Sequence, residues 1–257
     1  MQRFSEKREE LKKFFYEIKD CKNCSLGESR INFVFGSGSA DSKIMFIGEA
    51  PGRNEDIQGK PFVGQAGRIL DELLSMIGFE RKNVFIANVL KCRPPKNRDP
   101  QLEEINNCMN YLFRQIQIIN PEIICPLGRH STQLILKTDK SITGLRGRVF
   151  KIDGRYVMPI NHPAAVLYTP SRMELLKSDF LRIKKVIQVT EGKQTENELS
   201  VESSPDADRS VPSMENYSKE GISVSEKISD KEESPGRVPA LNEDKPENKT
   251  SDQMELF

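Results

Sequence analysis

Four cysteines constrain this chain more than any other feature. Cys21 and Cys24 form a Cys-x2-Cys pair, and Cys92 and Cys108 follow far downstream with fifteen residues between them. A close pair distant from a second pair obliges the fold to gather thiols from separate segments around one point. Soft thiolates in fours suit a structural zinc ion or an iron–sulfur cluster, and spacing alone leaves both open. A disulfide framework is not expected. The first residues, Met-Gln-Arg-Phe-Ser-Glu-Lys-Arg, lack a secretory apolar core, and the thiols of a cytosolic protein stay reduced. The fifth cysteine, Cys125, lies inside the apolar run Glu122-Ile-Ile-Cys-Pro-Leu127 and reads as a core residue.

Around these thiols, apolar segments alternate between two periods. Phe4, Leu11, Phe14, Phe15 and Ile18 recur at helical spacing and predict a helix over 3–19 that delivers the chain into Cys21. Strands are predicted at 43–48, 84–90, 122–127, 149–152 and 156–160. Helices are predicted at 66–77, 101–119, near 129–136 and at 171–189, the second with Asp99 as N-cap and Pro100 in its first turn. Strands alternating with helices imply an α/β fold whose mostly parallel sheet is covered on both faces. In such sheets ligands sit beyond the carboxyl ends of the strands. Three distinctive segments fall there: Gly48–Gly52, Asn88–Cys92 and Asn161–Pro163.

The net charge of +1 conceals a division. Residues 1–190 carry 31 basic and 21 acidic side chains, a net +10, whereas residues 191–257 carry 8 and 17, a net −9. A basic head suits a phosphate-rich partner. The tail is dominated by Ser, Glu, Asp, Lys, Asn and Pro and has too little apolar surface to offset its ordering entropy, so it is expected to be disordered and to compete weakly with DNA for the head. The expected organisation is therefore a domain at 1–190 and an acidic tail at 191–257. No stretch has the apolar length of a membrane span. A cytoplasmic, nucleoid-associated monomer is expected.

The strand at 43–48 runs into Gly48-Glu-Ala-Pro-Gly52, and Gly59-Lys-Pro-Phe-Val-Gly64 follows. Taken alone, a turn this rich in glycine and proline is a generic loop whose amides can face a carbonyl or a phosphate. Together with Val63-Gly-Gln-Ala-Gly67, Asn88 in Ala-Asn-Val, Lys91-Cys-Arg-Pro-Pro95, Asn161-His-Pro-Ala-Ala165 and the four cysteines, it resembles the family 4 uracil-DNA glycosylases, which carry an iron–sulfur cluster. The likeness covers about residues 10–185, in order. It implies a three-layer α/β/α sandwich, a 4Fe-4S cluster on Cys21, Cys24, Cys92 and Cys108 (zinc is the lesser alternative), and hydrolysis of the N-glycosidic bond to uracil in DNA. From the residues without the resemblance, the rivals are a metal-stapled nucleic-acid-binding module without catalysis and a glycosylase of another base preference.

The resemblance also implies roles. A glycosylase holds its target base outside the duplex, in a pocket. Glu49, Ala50 and Pro51 would line that pocket and Phe62 would stack on the base. The amide of Asn88 would meet uracil O4 and N3–H, an order that cytosine reverses. His162 would stabilise the departing uracil anion at O2. Many relatives in the wider superfamily carry an Asp general base where this chain has Ala50, so Glu49 and Glu55 are the candidates near the water, with Glu49 the more suited to orient uracil or water. After Pro163, Val166 and Leu167 would form an apolar wedge in the minor groove. Tyr168 stands where family members often have Arg. Lys91, Arg93, Lys96 and Arg98 are expected to meet phosphates, and no role is expected for His130. The closing Gln253-Met-Glu-Leu256-Phe257 resembles the short peptides that dock on DNA sliding clamps.

Overall fold

The computed structural model describes residues 2–203. The rest of the expected tail, with Gln253, Leu256 and Phe257, lies outside the described residues. In chain order the elements are α1 (Gln2–Ile18), α2 (Leu26–Ser29), β1 (Ser37–Gly38), β2 (Ile44–Gly48), α3 (Arg53–Gln58), α4 (Gln65–Met76), β3 (Phe85–Asn88), α5 (Leu102–Ile119), β4 (Ile123–Pro126), α6 (Arg129–Leu136), α7 (Ile142–Leu145), β5 (Val149–Ile152), β6 (Arg155–Val157), α8 (Ala165–Tyr168), α9 (Arg172–Thr190) and β7 (Val201–Glu202).

One sheet runs in the order β1-β3-β2-β4-β6-β5-β7. Its centre, β3-β2-β4-β6, is parallel, while β1 and β5 pair antiparallel with β3 and β6. Parallel strands buried on both faces need apolar residues at every position, and β2 supplies them as Ile44-Met-Phe-Ile47. Alternation then divides the core. Met45, Ile47, Phe85, Ala87 and Ile124 pack under α1 and α5, and Ile44, Phe46, Ile86, Ile123 and Cys125 pack under α4 and α9, with Phe46 stacked on Phe180. The result is the expected three-layer α/β/α sandwich. Cys125 is fully buried in the second layer, as its place in the apolar run implied.

Two expectations need correction. The folded unit continues past residue 190, because β7 pairs with β5 and Leu199 is buried in the second layer; a short polar segment joins a sheet through backbone bonds and one apolar anchor, neither of which leaves a compositional signal. The N-cap of α5 is Gln101, not Asp99. Gln101 and Glu104 form a reciprocal capping box, and the Asp99 carboxylate is drawn to Arg129 instead, at 2.9 Å.

Candidate active site

The register of β2 against β3 places Gly48 beside Asn88 at the carboxyl end of the parallel strands. Asn88 is buried, and its side-chain Oδ1 has no hydrogen-bond partner. An unpaired acceptor in that setting costs about 1–3 kcal/mol, which a ligand's donor would recover. A Cβ at Gly48 would lie 2.3 Å from this oxygen and 2.8 Å from the ring of Phe62, so the bare glycine is what admits both. The Phe62 ring in turn stacks on His162, with centroids 5.3 Å apart and planes 27° from parallel. The aromatic face therefore joins Asn88 to His162 in one site.

His162 follows the short bridge of Leu127 to Ile160, and Gly128 (φ +87°) turns beneath it. The backbone amide of Ala164 donates to His162 Nδ1 at 3.1 Å. An amide nitrogen has no lone pair to offer, so Nδ1 accepts and the ring proton belongs on Nε2. Burial pushes the imidazole below the ordinary histidine range, against the opposing pull of Glu49 and Glu55. The site thus holds a neutral donor of the kind that can stabilise a developing anion.

Phe62 adopts φ +54°, a left-handed backbone that bulky residues avoid and that costs on the order of 1–3 kcal/mol. Two side chains hold it there. Glu55 Oε1 accepts from the amides of Val63 and Gly64, both at 2.9 Å. Arg81, paired with Asp71 on α4, donates to the carbonyls of Pro61 at 3.0 Å and of Phe62. One Glu55 oxygen is thereby committed to the loop, an arrangement that suits a clamp better than a base. Pro51 is buried, and Ala50 packs against the first core layer.

One group of the site carries no motif in the sequence. His130, at the start of α6, brings Nδ1 to 2.6 Å from Glu49 Oε2. Burial alone would raise the Glu49 carboxyl, but the hydrogen bond from His130 and the charges of His130, His162 and Arg129 hold it below the usual carboxylate range. The only available hint was positional, since His130 follows β4 as Asn88 ends β3.

The four predicted ligands also meet. Cys21, Cys24, Cys92 and Cys108 line one hollow with Arg30, Phe33 and Tyr111. Tyr111 donates its hydroxyl to Cys21 Sγ at 3.2 Å, Arg30 donates to Cys92 Sγ at 3.3 Å, and the backbone amide of Lys91 donates to Cys108 Sγ at 3.3 Å. Donors aimed at sulfur fit thiolates. As bare thiols the inner pair resist ionisation, because burial raises Cys92 and pushes Cys108 up to about 12. Among the described residues, no three His, Cys, Asp or Glu side chains stand close enough to hold a single metal ion. Lys91 does not reach a phosphate. It is fully buried, its Nζ donates to Asn88 O at 2.8 Å and Gln115 Oε1 at 2.6 Å, and burial pushes its ammonium down to about 8.

The uracil DNA glycosylase superfamily model matches residues 35–186. A type-4 uracil-DNA glycosylase of Sulfurisphaera tokodaii is 48% identical over 185 residues, 68% of this chain and 84% of the relative. Those of Archaeoglobus fulgidus and Thermotoga maritima are 46% identical over 175 residues (65% of this chain, 88% of the relative) and 45% over 163 (62% and 85%). The chain belongs to the type-4 uracil-DNA glycosylases. In this uracil-DNA glycosylase the expected wedge pair divides. Val166 is buried in the second core layer, while Leu167 and Tyr168 are about half exposed. Successive residues of a helical turn point about 100° apart, so α8 turns Val166 inward. Arg98 is likewise engaged, in a two-pronged pair with buried Glu104, whereas Lys96 stays exposed. Among the described residues no helix is long and apolar enough to cross a membrane.

Proposed function

We propose that this uracil-DNA glycosylase excises uracil from DNA by binding the everted base with Asn88, Phe62 and His162, and so begins base-excision repair. The observation that carries the reading is the unpartnered Asn88 Oδ1 beside Gly48 and the Phe62 ring. Uracil N3–H supplies the donor this oxygen lacks, while the Asn88 amide donates to O4. Cytosine would set an acceptor against the oxygen and a donor against the amide. The N-glycosidic bond breaks with its electron pair leaving on uracil, and His162 Nε2–H stabilises that charge through O2. The water oxygen bonds to the sugar C1′, and Glu49 accepts the proton the water loses. With Ala50 in place of an Asp, Glu49 also answers the positive charge on the sugar. Glu55 acts on the Phe62 loop rather than on water. Leu167 is the wedge, with exposed Tyr168 beside it.

Cys21, Cys24, Cys92 and Cys108 would hold a 4Fe-4S cluster in this reading, since four soft thiolate donors line one hollow. When bound, it supplies a structural staple rather than a reacting centre. The enzyme works as a monomer in the cytoplasm at the nucleoid, and Gln253, Leu256 and Phe257 tether it to a sliding clamp.

The test is release of free uracil from a single-uracil oligonucleotide under single-turnover conditions. The wild type yields an alkali-labile abasic site. Asn88→Ala slows release by roughly 5- to 150-fold, the equivalent of about 1–3 kcal/mol of lost pairing. No uracil released above an enzyme-free control would overturn the proposal, as would equal release of cytosine.

A further inference from the structure

His130 is partly buried at the carboxyl edge of the sheet and lies against a pocket carboxylate. Its other ring nitrogen decides which way the bond runs. Arg129 Nη2 lies 3.2 Å from His130 Nε2 and also donates to Asp99 Oδ2 at 2.9 Å. A guanidinium can only donate, so Nε2 accepts and the proton sits on Nδ1, facing Glu49. Asp99 Oδ2 stands 3.8 Å from Nε2, too far to take that place. The string Asp99–Arg129–His130–Glu49 thus runs from the segment ahead of α5, through the start of α6, to the end of β2. Arg129 is fixed by Asp99, the imidazole by Arg129, and the carboxylate by the imidazole.

We propose that His130 is a positioning residue for uracil excision, its Nδ1–H aiming the ionised Glu49 carboxylate at the attacking water and the sugar. The proposal rests on the reading of Glu49 given above. Position 50 is an alanine, so the carboxylate must come from position 49 and be turned by a partner outside the Gly48–Gly52 turn. The Glu49 backbone is already tied down, its carbonyl accepting from Leu90 at 2.9 Å. What remains free is the side-chain rotamer, and His130 fixes it. A strongly hydrogen-bonded carboxylate is a weaker base. It suits a reaction in which the bond to uracil is largely broken before water attacks.

Four charged or titratable groups set the pH response. His130 and Arg129 face Glu49 from α6, His162 faces it from the segment after β6, and Glu55 of α3 faces His162. Removing the Nδ1 donor deletes a lowering influence on Glu49 and leaves burial, which raises it. Half-protonation of Glu49 then falls at higher pH, so the acid limb of the rate profile moves up.

The experiment is a single-turnover pH–rate profile for wild type, His130→Ala, His130→Asn and Glu49→Gln, with thermal melts to confirm folding. His130→Ala is expected to lower the plateau rate by on the order of ten- to a hundredfold through misplacement, shift the acid limb upward and leave DNA half-saturation unchanged. His130→Asn carries an N–H where Nδ1–H stood and is expected to restore most of the rate and the limb. A merely structural role would scale the rate equally at every pH. An unmoved acid limb in His130→Ala, or His130→Asn as impaired as His130→Ala, overturns the proposal. A wild-type rate in Glu49→Gln instead sinks the reading of Glu49 beneath it.

Discussion

A single hydrogen atom at position 48 decides whether the site exists. Any side chain there drives a Cβ to 2.3 Å from Asn88 Oδ1 and 2.8 Å from the Phe62 ring, and both neighbours lie in packed surroundings. Gly48→Ala is therefore expected to cost stability by about 1–3 kcal/mol, typical of overpacking. It should also slow single-turnover excision by roughly a hundredfold, because misplacing Asn88 by about an ångström is enough to do so. Uracil release and a thermal melt on the same preparation check both effects. A fold destabilised without loss of rate would mean that Asn88 is not the base reader. At this scale legibility followed the source of the signal. Gly48, Glu49 and Asn88 announced themselves through a strand end followed by turn residues. His130 did not, because its partner lies 81 residues earlier in the chain. Asp99 was misread as a cap because its partner, Arg129, is also remote in sequence.

The loop carrying Phe62 is the element that turns fixed residues into a binding site. Its positive φ persists because Glu55 and Arg81 hold opposite ends of the same short segment, Glu55 through two amides and Arg81 through two carbonyls. Gly67 is part of this hold, since a Cβ there would fall 1.8 Å from Phe62 O. Arg81→Ala is expected to weaken uracil-DNA half-saturation by about tenfold, the range in which loss of a base–aromatic stack of about 1–3 kcal/mol falls. The decisive comparison is Phe62→Ala with and without Arg81→Ala. If Arg81 acts through the ring, the double variant binds no worse than Phe62→Ala; additive losses would put Arg81 on DNA directly. Long elements were legible because period 2 and period 3.6 show over many residues. The short helices α3 and α8 were not, as four to six residues contain too little of a period. That is also why Val166 and Leu167 were grouped as one wedge, when a single helical turn sends them to opposite environments.

Across the whole molecule, the cluster proposed on the four thiols would tie three parts of the chain that the sheet does not hold together. Cys21 and Cys24 flank the turn after α1, Cys92 follows β3, and Cys108 lies within α5. The sheet and the second core layer contain none of these ligands, so removing the bound group should leave them folded. The first layer is different, for Cys92 and Cys108 are part of it. Lys91 extends the dependence to the site, because its amide donates to Cys108 Sγ while its ammonium donates to Asn88 O. If the proposed cluster is present, stripping it with an oxidant and chelator is therefore expected to bleach its visible absorbance and speed hydrogen exchange at 19–33 and 91–98. Exchange in β2 and β4 should stay slow, and uracil excision should fall in step with the exchange at 91–98 rather than with global unfolding. The division follows from the layers: a staple on one side of the sheet cannot protect amides that the sheet already buries. Unchanged exchange at 19–33 and 91–98 after complete bleaching would mean that the thiols carry no staple and that apolar packing around Phe33 and Tyr111 holds these segments unaided.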